Sequence, residues 1–410
     1  MQLIHILLLL SLLIFSVIWS ISYSFKYQTA LNPATSFVGF DIFIIGILPL
    51  GYLEWNHLYQ GSEEGIFKVE VMLAMYFVGF LLGAFSMRKS IVNFFFKLYN
   101  SINISYSGRK ISIKLIIIML FTLSLVSFIA LSIIGGGGLK WIFDVRDAYI
   151  QNRAGAGIFW LMMQWNLQIL LIICLLYFKP ERMLALLGVL CLFIGFNYFS
   201  GSKSNMLSVM VTMIVYYNFY IKRFSIMQTI RYVFVVLISF SIILTFQSDA
   251  AFKLVNIINY FKEYAFVTIR YMSNEFLEFG YGVYMLSDLW YYVPRIIVPE
   301  KPFEYGVLHV HQVLFPGAAE EGNTPGVYNW LLYYLDFGSV GVFVAGFFRG
   351  FFTQLIFNIF LKDQNSPVMF LLMLHLCIYH VFALSSFVTL SMIVIQVLLL
   401  SKFVSLRRRA

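Results

Sequence analysis

Charge is scarce in this chain. Only 11% of its residues are Asp, Glu, Lys or Arg and 61% are hydrophobic, where a soluble domain averages about 25% charged. With a mean hydropathy of +0.85, the 410 residues read as a polytopic membrane protein, to which counts of soluble domains do not apply. Cysteine is nearly missing. Cys174, Cys191 and Cys377 lie in apolar runs and no CxxC pair occurs, which excludes a disulfide framework and a thiolate metal site. Repeats and low-complexity tracts are absent, and no polar stretch is long enough for a soluble nucleotide-binding domain. The net charge of +9 therefore speaks to membrane orientation and not to a nucleic-acid partner. The opening apolar run, 3–20, has no basic flank and no small-residue cleavage site, so it reads as a retained span.

A helix needs about 20 mostly apolar residues to cross hydrocarbon. Such runs recur near 3–22, 37–54, 68–86, 115–134, 158–178, 183–199, 205–220, 230–246, 338–360, 367–384 and 387–403, which predicts an all-α polytopic membrane protein of about eleven transmembrane helices, 1–410 forming one integral membrane domain. These runs are nearly free of charge. Basic residues gather in the loop 87–114 (Arg88, Lys89, Lys97, Arg109, Lys110, Lys114), the turn 179–182 (Lys179, Arg182), the turn 221–231 (Lys222, Arg223, Arg231) and the tail (Arg407, Arg408, Arg409). The positive-inside rule makes those segments cytoplasmic. The segments 55–67, 135–157, 200–204 and 247–337 then lie outside. Two of them, 135–157 and 247–337, are long.

The first long outer loop, GGGGLKWIFDVRDAYIQNRAGAG, carries Arg146 and Arg153 beside Asp144 and Asp147. Its Trp141 suits the membrane interface. Gly157 follows Arg146 by eleven positions and Gly306 follows Arg295 by eleven, so each long loop contains one R-x10-G match. Arg146 and Arg153 suit phosphate, and equally interfacial anchoring or pairing with the neighbouring aspartates. The outer turn SGSKSN, 200–205, sets Lys203 between apolar runs; Ser202, Ser204 and Asn205 can cap the helix that follows, whose N-terminus favours an anion.

In the second loop, 251–270 has the spacing of an amphipathic helix lying on the membrane. An aromatic-rich stretch, 271–292, suits sugar stacking or interfacial anchoring. Then comes YYVPRIIVPEKPFEYG, 291–306, with Arg295, Lys301, Glu300 and Glu304 among Pro294, Pro299 and Pro302. Proline fixes φ and removes a donor, so this is a stiff loop holding cations in place. His309 and His311 follow at i, i+2, too few ligands for zinc but each able to serve as a base near neutral pH. Glu320 and Glu321 precede the turn GNTPG. His375 and His380, in the tenth run, read as packed polar residues.

The stretches VPRIIVPEKPFEYG (293–306), NTPGVYNWLLYYLDFGSVGVF (323–343) and FSGSKSNML (199–207), with the paired R-x10-G loops, resemble the Wzy-type O-antigen polymerases, bacterial oligosaccharide repeat-unit polymerases. The hydropathy profile fits over the whole chain and the motifs over about a quarter of it. One departure stands out: the family often has arginine where this chain has Lys203, and lysine lacks the bidentate fork. The resemblance implies a multi-span glycosyltransferase of GT-C-like architecture in the bacterial inner membrane, acting on the periplasmic face. Its donor and acceptor would be undecaprenyl-pyrophosphate-linked oligosaccharides, with membrane lipid and a polysaccharide chain-length regulator as further partners. Arg146, Arg153, Lys203, Arg295 and Lys301 are then the candidate pyrophosphate ligands. Arg295 with His309, His311 and Glu300 are the candidate catalytic residues, and Glu320 is a further candidate base. No DxD-like pair or metal cage occurs in the outer loops, so neither metal nor cofactor is expected.

An O-antigen ligase shares the topology and differs in its acceptor. A lipid-linked oligosaccharide flippase would also bind pyrophosphate but should show pseudo-symmetric halves and charges inside its spans. The orientation is directly testable. A reporter fused near residue 310 should give active alkaline phosphatase and a silent cytoplasmic reporter; the reverse would invert the topology.

Overall fold

The computed structural model describes residues 2–55, 63–102, 112–152, 156–178, 183–248, 255–273, 278–295, 297–317, 326–378 and 384–403, and all regular structure among them is helical. α1 (Gln2–Tyr27) precedes a continuous rod of α2 (Pro33–Phe37), a π-wound stretch (Val38–Ile47) and α3 (Leu48–Trp55). Asn32 starts that rod with a capping box, its side chain accepting the N–H groups of Ala34 and Thr35. α4 (Glu63–Phe85), α5 (Lys89–Ile102) and α6 (Ile113–Ile134) follow. The first outer loop holds α7 (Lys140–Phe143) and α8 (Val145–Gln151), and leads through α9 (Gly157–Phe178) and α10 (Met183–Tyr198) to α11 (Lys203–Tyr216), prolonged by a π-wound Tyr217–Ile221, and α12 (Ile226–Ser248). The segment 247–337 holds α13 (Val255–Met272), α14 (Val283–Ser287) with a 3-10 turn Asp288–Tyr292, and a 3-10 turn Gly306–His309 running into α15 (Val310–Leu314). α16 (Leu331–Lys362), α17 (Pro367–Met373), its π-wound continuation Leu374–Ile378, and α18 (Leu384–Phe403) close the chain.

Each of the eleven predicted ranges is helical where it is described. Six helices, over Ile4–Tyr27, Pro33–Glu54, Glu63–Phe85, Ile113–Ile134, Gly157–Phe178 and Leu331–Lys362, are long and apolar enough to cross a membrane, and Leu184–Tyr198, Ile226–Ser239, Pro367–Ile378 and Ser385–Leu400 are shorter apolar helices. The molecule turns large apolar side chains outward: Phe25 is 75% exposed and Ile133 73%. Water does not tolerate an apolar surface of that extent, and lipid does.

Lipid gives helices no hydrophobic reason to associate, so small residues that let backbones touch take over. Gly79 and Gly83 of α4 face Gly346 and Gly350 of α16. A Cβ at Gly79 or Gly83 would collide with the carbonyls of Phe343 and Phe347, and one at Gly346 or Gly350 with those of Tyr76 and Phe80. Beside this seam lies a buried ion pair. Arg349 Nη1 and Nη2 donate to Asp41 Oδ1 (3.0 Å) and Oδ2 (2.8 Å), Nη1 also donates to the Tyr76 hydroxyl, and Asn329 Nδ2 donates to Asp41 Oδ1 (3.2 Å). The guanidinium stands 4.9 Å over the Phe37 ring. The expectation of nearly charge-free runs is corrected here. Asp41 and Arg349 neutralise each other across two helices, and a window over one helix sees only a lone charge. Removing one partner of such a pair costs about 3–5 kcal/mol, because the other stays buried and uncompensated.

α13 departs from expectation too. Phe261, Ala265, Thr268 and Met272 form its buried stripe, and this face packs on α3 and α4 rather than on the membrane. Gly65 of α4 permits the approach, since a Cβ there would meet Ser273 Oγ and the carbonyl of Ile269.

Gly350→Leu should separate α4 from α16 and destabilise the purified protein by about 1–3 kcal/mol or more, read as a lower Tm. Phe348→Leu, on a side chain that is 47% exposed, should leave Tm near the parent value. Equal Tm for both variants would show that the backbone contact is dispensable.

Candidate functional site

The start of α14 is fastened to α16 by one carboxylate. Asp336 is fully buried in the first turns of α16, just before Gly338 breaks the helix with φ 60° and ψ −147°, a backbone conformation that glycine adopts without penalty. Asp336 Oδ1 accepts the N–H groups of Gly282 (2.9 Å) and Tyr284 (3.1 Å), and Oδ2 accepts that of Met285 (2.8 Å). The N–H groups of Gly280 and Tyr281 reach the carbonyls of Leu335 and Asp336. The free donors at the start of α14 are thus answered by a side chain from another helix. The predicted span 338–360 begins at this break; the helix itself starts seven residues earlier, at Leu331.

The chain beyond α14 is docked on α18. Tyr292 donates its hydroxyl to the Ser385 carbonyl and pairs with Thr389 Oγ1, and Asp288 Oδ2 accepts the Ser385 N–H (3.0 Å). Ser287 Oγ accepts the N–H of Gly306 (2.9 Å), and His309 Nε2 stands 3.4 Å from the same hydroxyl. His309 also packs edge-on to Tyr284, ring centres 4.6 Å apart. This gives Gly306, the end of one R-x10-G match, a physical reason: its φ is +54° and Asp288 crowds its Cα. Gly157, the end of the other match, is uncrowded, so the two matches are not equivalent structures.

Between these anchors lies the proline loop. Arg295 Nη1 donates to the carbonyls of Pro299 and Lys301 and Nη2 to that of Pro302 (3.2 Å), while the guanidinium lies 3.7 Å over the Phe303 ring. Neither Glu300 nor Glu304 takes part; Glu300 is exposed. Arginine therefore shapes this loop through backbone carbonyls, the acceptors that the prolines leave without neighbouring donors. Three of the five guanidinium N–H donors are used, and Nε and one Nη2 hydrogen remain. Lys301 is buried, 8% exposed, with Nζ 4.6 Å over the Tyr305 ring. Burial first, and the charge of Arg295 second, lower its ammonium to about 8.

A second cationic group forms at the first outer loop. Arg146 donates to the carbonyl of Gly201 (3.3 Å) and lies 5.2 Å over the Tyr149 ring, and Trp160 Nε1 donates to the carbonyl of Ser200 (2.9 Å). The structure thus brings Arg146 against the 200–205 turn, a neighbourhood that sequence spacing did not reveal. Arg146 does not pair with the nearby aspartates: Asp144 caps α8, and Asp147 meets Lys140 (3.4 Å). Trp141, read as interfacial, is fully buried. Ser202, read as a cap, pairs with Ser204 Oγ (2.9 Å) and makes no cap bond to α11. Lys203 is the first residue of α11 and His311 lies in α15, but the placement of their side chains, like residues Arg153, Glu320, Glu321 and His380, lies outside what is described. His375 is buried and bonded to Gln168 (2.8 Å), a packed polar residue as expected.

No protein-family model and no solved structure matches this chain. Two curated proteins do, both named O-antigen polymerase, from Salmonella typhimurium and Salmonella typhi. Each is 23% identical over 241 residues, 53% of this chain and 54% of the relative. The chain thus spans about half the length of the curated relatives it matches. The resemblance to the Wzy-type polymerases, read from the motifs, is borne out by these relatives.

Asp336→Ala removes the acceptor for three N–H groups at once, and each buried unanswered donor costs about 1–3 kcal/mol. The variant should keep its membrane helices but release the second loop, seen as rapid proteolysis between 278 and 310. Cleavage no faster than in the parent protein would contradict this role.

Proposed function

We propose that this chain is an O-antigen or surface-polysaccharide polymerase, a glycosyltransferase of GT-C-like architecture with about eleven spans in the bacterial inner membrane. Its two long outer loops face the periplasm, and 247–337 is the catalytic one. The observation that carries this reading is a preorganised cation pair, Arg295 and Lys301, on a loop fastened to the longest helix of a chain that is similar to two proteins named O-antigen polymerase.

In the proposed reaction an acceptor sugar hydroxyl on a new lipid-linked repeat attacks the anomeric carbon of the growing chain. The bond from that carbon to the pyrophosphate oxygen breaks, and undecaprenyl pyrophosphate leaves with the electron pair. The hydroxyl proton passes to a base, with His309, His311, Glu300 and Glu320 as the candidates. His309 is the one that the loop's own contacts hold in place. A pyrophosphate leaving group needs preorganised positive charge more than it needs acid. Arg295 and Lys301 supply it in the second loop; Arg146, Arg153 and Lys203 bind the second lipid-linked pyrophosphate. Exposed aromatic side chains near the loop, Tyr281 and Phe303 among them, suit sugar faces. A chain-length regulator remains a further expected partner, and the transfer step itself takes no metal.

Purified protein should polymerise lipid-linked repeats in the presence of chelator; loss of turnover restored by Mg²⁺ or Mn²⁺ would refute the metal-free step. Arg295→Ala should abolish polymerisation with normal protein abundance, and Arg295→Lys should restore only part, because a point charge replaces a planar fork. A fully active Arg295→Ala would remove that residue from the mechanism. Lys301 adds a pH signature. Its lowered value means the ammonium is complete below about pH 7 and is lost as pH rises through about 8. Turnover should fall on that alkaline limb, and Lys301→Arg should flatten it; a limb unchanged in Lys301→Arg would assign it elsewhere.

A further inference from the structure

His5 of α1, Glu54 of α3 and Glu70 of α4 meet inside the protein, and the polymerase reading uses none of them. All three are buried, at 3%, 7% and 0% exposed. His5 Nδ1 and Glu70 Oε2 are 2.7 Å apart, and one nitrogen or oxygen from each residue lies within 4.8 Å of the others. The second observation is an unanswered atom: Glu70 Oε1 is wholly buried and has no hydrogen-bond partner among the described residues. Two buried carboxylates facing one imidazole leave the cluster short of positive charge, and an uncompensated buried carboxylate costs several kcal/mol.

We propose that His5, Glu54 and Glu70 bind one divalent transition-metal cation of the Zn²⁺ class. One imidazole and two carboxylates form a mixed nitrogen and oxygen set, which suits Zn²⁺ and related ions better than Ca²⁺ or Mg²⁺, whose sites are built of oxygen. Ligand atoms about 2.1 Å from a tetrahedral ion are about 3.4 Å apart. From separations within 4.8 Å the cluster reaches that by drawing in at most about 1.4 Å, while the His5–Glu70 hydrogen bond opens into two metal bonds. The ion answers Glu70 Oε1 and cancels the second carboxylate. It ties α1, α3 and α4 together, and α3 and α4 are the helices on which α13 of the second outer loop is packed. None of the three residues belongs to the Arg295–His309 loop, so the ion stabilises the platform and does not enter the transfer. Sequence spacing hides the site, because its ligands come from three different helices far apart in the chain. The proposal stands apart from the polymerase reading.

The test uses the full-length chain purified in detergent, stripped with chelator and titrated with zinc chloride alone, with affinity and Tm both read. The wild type should bind one zinc per chain and gain Tm. Glu70→Gln keeps the hydrogen bond to His5 but loses a ligand, as does Glu54→Gln at the cluster edge. Outer-shell partners alone are worth about 10–100-fold in metal affinity, so each variant should bind at least about 100-fold more weakly. Their Tm without metal should stay close to that of the stripped wild type. Should Glu70→Gln fail to fold, Glu54→Gln decides alone. Zinc bound equally by wild type and variants would place it on other residues. No stoichiometric binding by the wild type, or binding without a gain in Tm, would overturn the proposal and leave a cluster that balances its charge with a proton.

Discussion

The backbone contact between α4 and α16 is the constraint from which the rest follows. Four glycines let two membrane helices touch carbonyl to Cα. Only because they touch can Arg349, on α16, reach Asp41 and Tyr76 on two other elements with a geometry that offsets burial of both charges. α16 also carries Asp336 two residues before its break at Gly338, and that carboxylate holds the start of α14. One helix thus grips the membrane core at its middle and the second outer loop at its end. A side chain at Gly346 or Gly350 would act on the loop without lying in it.

The loop itself obtains rigidity from an uncommon division of labour. Prolines restrict the backbone and subtract donors, so carbonyls are left over. Arg295 collects three of them and stacks on Phe303. A guanidinium used in this way fixes the neighbouring Lys301, whose partial burial makes its ammonium a stronger electrostatic partner than a solvated one. In the proposed reaction Arg295 is a positioning residue through Lys301 as well as a candidate phosphate ligand through the donors it keeps. The neighbouring Glu300 and Glu304 take no part in holding Arg295.

What was legible in the sequence is what depends on one segment at a time. Apolar run length located the long apolar helices, because lipid imposes length and composition on each span separately, but it did not show the 14-residue α5 in the basic loop 87–114 or the short helices α7, α8, α14 and α15. The proline loop was legible as irregular, since proline acts locally, and 293–305 carries no regular helix among its described residues. What stayed hidden is what two or three helices make together: Asp41 with Arg349, the four-glycine seam, Arg146 against the 200–205 turn, and the meeting of His5 with Glu54 and Glu70. The amphipathic pattern of α13 was real, yet periodicity names an apolar face without saying whether lipid or protein covers it. Asp336 lies within the 323–343 stretch, but its capping role depends on the start of α14, a partner that spacing does not show.

The central claim is that this chain extends a lipid-linked glycan by whole repeat units. The most direct measurement is the lipopolysaccharide banding pattern of a strain deleted for this chain and otherwise intact. The account predicts core carrying a single repeat, with the long ladder restored by the wild-type chain supplied in trans. A deletion strain with an unaltered ladder, or one with no attached repeat at all, would contradict it, the latter pointing to ligation or translocation instead.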